Sequence, residues 1–158
     1  MSTATAPAPG RIGAGTGPRA ANEAWEAAME AHATLMRRFA ARPYWDGASM
    51  REYDVLYTLA KCGRPQRLSD IANHVLLSQG ALSRLVDRLV ARGLVARCTD
   101  PADARAVHLS LTDEGRTVQR RIGRAHARDV ADALSHLTAT ELATLRHLSH
   151  RLISQELT

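Results

Sequence analysis

The chain has 158 residues, 45% of them hydrophobic and only 4% aromatic, and carries a formal net charge of +5 at neutral pH. That length suits one domain, or one domain with a helical extension, and its core is expected to be mostly Leu, Val, Ile and Ala. No apolar run approaches the ~18 residues of a membrane span, no charged n-region leads into an apolar h-region, and Cys62 and Cys98 make no disulfide framework; the expectation is a soluble protein of the reducing cytoplasm.

Taken in chain order, residues 1–20 are Ala, Pro, Gly, Ser and Thr with almost nothing to bury and read as a disordered tail. From Asn22 to about Ala41 the apolar positions Trp25, Met29, Met36 and Phe39 recur at helical spacing, and Arg42-Pro43 ends that helix. Ser49 and Glu52 fit a capping box, opening a helix that turns Tyr53, Leu56, Leu59 and Ala60 inward and stops near Gly63. Ser69 reads as the cap of a short helix with Ile71, Ala72 and Val75 buried. Ser78 caps the next helix, whose apolar stripe is Leu82, Leu85, Val86 and Leu89, and Gly93 is placed to close it in a left-handed conformation. Leu94 to Cys98 and Ala106 to Leu111 favour two strands around a polar loop at 99–105. Thr112 caps a long helix reaching about Leu137, and Thr138 with Glu141 opens a last one striped by Leu142, Leu145, Leu148 and Leu152.

A bracing helix, a tight turn, a second helix and a strand pair form a winged helix-turn-helix, here spanning residues 48–111. The expected fold is mainly α, with a small β-hairpin wing and long helices at 21–45 and 112–158. Those helices cannot bury all their apolar faces against so small a module, so pairing with a second chain is the economical solution. The charge agrees in position. Residues 61–105 hold eight basic side chains and four acidic, an excess of four out of the chain's five. A localised basic face is the expected footprint of phosphate binding.

The ordered set RLSDIA at 67–72, LSQGALSRLVDRLVARGLVAR at 77–97, DPADARAVHLSLTDEG at 100–115 and LTATEL at 137–142 resembles the MarR family of transcriptional regulators, over roughly residues 22 to 155. The resemblance implies a homodimer with interleaved terminal helices. It also implies binding to a pseudo-palindromic double-stranded operator, usually as a repressor released by a small molecule.

On the 78–92 helix the face opposite the leucines presents Gln79, Gly80, Ser83, Arg84 and Arg88. Gln can pair with adenine bidentately and Arg can fork onto guanine; Gly80 lets the backbone approach. Ser78 and Ser83, with the free amides at the helix start, suit phosphate. The competing reading of Arg88 is an ion pair with Asp87 or another carboxylate that only supports the fold. Arg64 and Arg97 are general phosphate candidates. In the wing, Arg105 suits a narrow, negatively charged minor groove, with Asp103 placed to hold it as in the family's D-x-R pattern; Ala104 stands where many members carry a further Arg.

Family pockets lie where the dimerisation helices meet the winged module and often take phenolic or aromatic carboxylates such as salicylate. Trp25, His32 and Tyr53 are the candidate lining residues here, with core or dimer packing as the competing reading of the two aromatics. Redox sensing through Cys62 or Cys98 and zinc binding through histidines such as His147 and His150 are weaker alternatives, since the thiols lack the tyrosine-flanked context of the family's peroxide sensors and no ligand set has zinc spacing. The readings left are a ligand-responsive DNA-binding regulator and a winged-helix module for protein contact. No Gly-rich phosphate loop, Ser-His-Asp context, HExxH or CxxC motif suggests an enzyme, and no cofactor or resident metal is expected.

Overall fold

The computed structural model describes residues 17–45, 47–99 and 107–154. They form six helices, one 3-10 turn and three strands: α1 Pro18–Ala40, the turn Pro43–Trp45, α2 Met50–Cys62, β1 Gln66–Arg67, α3 Leu68–Ala72, α4 Gln79–Ala91, β2 Val95–Thr99, β3 Val107–Leu111, α5 Asp113–Ala133 and α6 Ala139–Ser154. The chain divides into two compact units, one ending at Arg38 and the other starting at Phe39. The first is the greater part of α1, which begins at Pro18, so residues 18–20 are helical where a tail was expected. Pro is well tolerated there because the first helical amides have no intrahelical acceptor. Trp25 on this helix is 62% exposed.

The second unit is built around a core in which Leu56, Ile71, Leu82, Leu89, Val95 and Leu109 pack together. Local chemistry sets its helix ends. The Ser49 side chain accepts from the Glu52 amide while the Glu52 carboxylate accepts from the Ser49 amide. Ser78 accepts from the amide of Ala81 and Thr112 from that of Gly115. Thr138 and Glu141 cap α6 reciprocally, and these backbone and hydroxyl bonds hold the Glu141 carboxyl below its ordinary range. Gly93 has φ +70°, the left-handed value a side chain would resist.

The second unit also differs from the sequence expectation at α3 and α5. Ser69 lies inside α3 rather than capping it: the amide of Arg67 donates to Asp70 at 3.2 Å, and the helix starts at Leu68. This earlier start follows from a strand that periodicity could not show. Gln66 and Arg67 pair antiparallel with Leu109 and His108, which makes β3 the centre of a three-stranded sheet ordered β1-β3-β2. On the other side Val95 pairs with Leu111 and Thr99 with Val107. The second difference is the length of α5, which stops at Ala133, four residues short of Leu137.

Where α5 leaves the sheet, the two backbones touch. A Cβ on Gly115 would lie 1.9 Å from the carbonyl oxygen of Leu94. The Thr112 amide donates to that same carbonyl at 3.2 Å and its hydroxyl to Gly93 at 2.7 Å. At the other end, α6 buries no residue at all: Leu145, Leu148, Leu152 and Ile153 are all exposed, Leu152 by 73%.

Candidate nucleic-acid interface and effector cavity

The apolar face of α4 is fully committed to the core, with Leu82, Leu85, Val86 and Leu89 all buried. The opposite face therefore points to solvent. Ser78, Gln79, Gly80, Arg84 and Arg88 are exposed there, and Ser83 is half-buried. Ser78 caps the Ala81 amide, and the first amides of the helix and the positive end of its dipole lie beside Gln79 and Gly80.

The arginines on and beside this helix are not equivalent. Arg84 makes no ion pair among the described residues; its Nη1 lies 3.7 Å from where a Cβ on Gly80 would sit. Arg88 turns back to the fold: its Nε is 3.6 Å from the Glu52 carboxylate and its Nη1 donates to the Arg84 carbonyl at 3.4 Å. Arg92 joins the same carboxylate at 3.4 Å. Glu52 is only 6% exposed and so needs such partners. Arg97, on β2, is bonded to Asp87 of α4, a strut between the helix and the wing strand. The acidic partners of Arg88 and Arg97 are thus Glu52 and Asp87, one of them 36 positions away in sequence and so invisible to local patterning. Asp103 and Arg105 lie outside the described residues. Arg64, before β1, is exposed.

A cavity of about 600 Å³ opens on the other side of α2, within the second unit. Tyr53, Asp54 and Tyr57 of α2 form one wall, and Arg120, Arg124 and His126 of α5 the other. Of the three residues expected in a pocket, Tyr53 lines this one. Trp25 and His32 are exposed residues of the N-terminal unit and are not among its lining. The sequence reading passed over the α5 wall, although Gln119, Gly123 and His126 recur at helical spacing beside buried Ile122, a polar strip on an inward-facing flank. Burial raises the Tyr53 phenol, with the Gln119 hydrogen bond opposing it. Asp54 stands at the cavity mouth, still reached by water, yet the surrounding protein lifts its carboxyl above the ordinary range, opposed by His126 and Arg51.

Cys62 is half-buried and Cys98 exposed; both are free thiols, and Cys98 Sγ lies 3.6 Å from Ser110 Oγ. Among the described residues no three His, Cys, Asp or Glu side chains converge as a metal site, and no helix is long and apolar enough to cross a membrane.

A family model described as the MarR family matches residues 48–107, the stretch from the cap of α2 to the start of β3. The HTH-type transcriptional repressor MdtR of Bacillus subtilis is 31% identical over 106 residues, covering 67% of this chain and 68% of the relative. The chain belongs to the MarR family. A second relative, the HTH-type transcriptional regulator PecS of Dickeya dadantii, is 34% identical over 66% of this chain and 64% of its own length, so the chain spans a little under two thirds of that relative. Among solved structures, the MarR-family regulator Sco3205 from Streptomyces coelicolor, in complex with DNA, superposes with a TM-score of 0.73 at 27% identity and 87% coverage of both chains. The winged helix-turn-helix of the MarR family is thus the fold of this chain, with β1 as its third strand.

Proposed function

We propose that this MarR-family chain is a homodimeric, sequence-specific regulator of transcription whose α4 enters the major groove of a pseudo-palindromic operator. The observation that carries the reading is the division of α4 into two faces: four apolar side chains sealed in the core, and Gln79, Gly80, Ser83 and Arg84 left on the outside at the positively polarised end of the helix. Gln79 and Arg84 supply base-edge chemistry, and Ser78, Ser83 and the free amides supply phosphate contacts. Arg88 and Arg97 serve first as struts, and any phosphate contact they make is shared with Glu52 and Asp87. The loop carrying Asp103 and Arg105 is assigned to the adjacent minor groove.

Dimerisation is assigned to α1, the far part of α5 and α6, because the leucine stripe of α6 has no cover among the described residues. The cavity between α2 and α5 is assigned to an aromatic or phenolic acid. Its two arginines favour an anion and its two tyrosines and His126 favour a ring, so an occupant there releases the operator and the chain acts as a repressor. Such a regulator works in the cytoplasm, where its DNA lies.

The test begins by selecting bound sequences from a random DNA pool. Two half-sites about one helical turn apart are expected, with binding that weakens steeply as salt rises. Failure to enrich any sequence, with salt-insensitive capture of a protein partner instead, would replace this reading with a protein-contact module.

A further inference from the structure

His126 is built into a cluster of buried aromatic rings that borders the cavity. Its ring packs edge-on against Phe39 at 4.9 Å and lies 5.6 Å from Trp45 and 5.8 Å from Tyr53, centroid to centroid. Its Nδ1 is 3.0 Å from the Tyr44 hydroxyl, which is itself 3.3 Å from Asp129 Oδ2. Arg42 holds Asp129 with two bonds, at 2.9 and 2.5 Å. The other side of the ring belongs to the cavity wall.

We propose that an aromatic monoanion enters this cavity together with one proton from solvent, and that His126 is the residue that receives the proton. The inference rests on the cavity being an effector site.

The atoms behind the ring serve both of its charge states without moving. With the imidazole neutral and its proton on Nε2, the Tyr44 hydroxyl donates to Nδ1. With Nδ1 protonated, it donates to the Tyr44 oxygen, and the Tyr44 hydroxyl turns to donate to Asp129. Tyr44 keeps its own proton throughout, because burial first, and then Asp129, push its phenol up to about 12. Without an occupant, burial holds His126 below the usual histidine range and favours the neutral ring, against the opposing pull of Asp129 and Asp54. An anion placed against it reverses that balance.

The other charged groups around the ring are few. Tyr44 and Arg42 approach from the segment before α2, Tyr53 and Asp54 from α2, and Asp129 from α5; Arg120 and Arg124 line the same cavity from α5. Asp54 is the rival acceptor, since an anion would also favour its neutral form.

Calorimetric titration of the whole chain with sodium salicylate, in HEPES and in Tris at pH 7.5, measures the proton directly, because the two buffers release it with different heats. Uptake of a substantial fraction of one proton per site is expected. Affinity should rise as pH falls from 8 to 6, with a limiting slope of about tenfold per pH unit for a single proton. In His126→Gln both the uptake and the slope should fall while the circular dichroism stays that of the parent. Should that variant lose its fold, Tyr44→Phe keeps the ring but removes the relay and should lower the uptake in the same way. Undiminished uptake in the folded variant, or its loss in Asp54→Asn alone, overturns the assignment to His126. Salicylate binding with no proton taken up overturns this inference and leaves the effector reading standing; no salicylate heat from the parent chain overturns both.

Discussion

Arg84 and Arg88 are one turn apart on α4, yet their surroundings give them different work. Arg84 has no carboxylate to satisfy among the described residues, so replacing it with Ala should remove chiefly what it offers to DNA. The expected loss is about 1–3 kcal/mol of operator binding, concentrated at one base position, with thermal stability unchanged. Arg88→Ala should instead lower the melting temperature, because buried Glu52 loses one of its two cationic partners. A gel-shift titration beside a melting curve separates the two, and equal operator loss in both variants would contradict the assignment. The sequence shows that both arginines are on the outer face, but not which of them is occupied, because that depends on Glu52 arriving from α2. His126 also has a consequence for stability. Its folded pKa lies below the unfolded value of about 6.5, so below that pH the unfolded chain binds more protons than the folded one. Stability is therefore expected to fall as pH drops from about 6.5 toward the folded value, and His126→Gln should remove that part of the slope in denaturant melts across pH 5 to 7.

Between elements, the contact of Gly115 with Leu94 is the least forgiving. A methyl group there meets a backbone carbonyl rather than a flexible side chain, so α5 or the start of β2 must shift. Gly115→Ala is expected to cost at least about 2 kcal/mol, read by chemical denaturation, whereas Gly80→Ala, with only the Arg84 guanidinium nearby at 3.7 Å, should leave stability nearly unchanged. The caps at Ser49, Ser78, Thr112 and Thr138 were legible because each is a local code, complete within four residues. β1 was not: two residues carry no period, and Gln66 and Arg67 become a strand only because β3 returns beside them. The single turn Pro43–Trp45 was hidden for the same reason, its buried Trp45 being fixed by a 2.7 Å bond from its indole to the Phe39 carbonyl. Most of the cavity was missed because its walls come from two helices about 70 residues apart, and only Tyr53 was conspicuous enough to be chosen from one of them.

For the whole molecule, the leucines of α6 form an apolar stripe left exposed by the other described residues. Leu148→Asp is expected to shift the chain toward monomer by sedimentation and to cost operator affinity far beyond what a residue remote from α4 should, since half-sites would be bound singly. A monomeric variant that still binds the full operator with parental affinity would count against dimerisation through α6. The neighbouring positions 52, 53 and 54 carry a different consequence. Glu52 grips the end of α4 through Arg88 and Arg92, while Tyr53 and Asp54 form part of the cavity wall. On the proposed reading, the effector cavity and the carboxylate that grips the recognition helix thus meet within one turn of α2. A ligand that shifted this turn from the cavity side would therefore also move the carboxylate that holds Arg88 and Arg92.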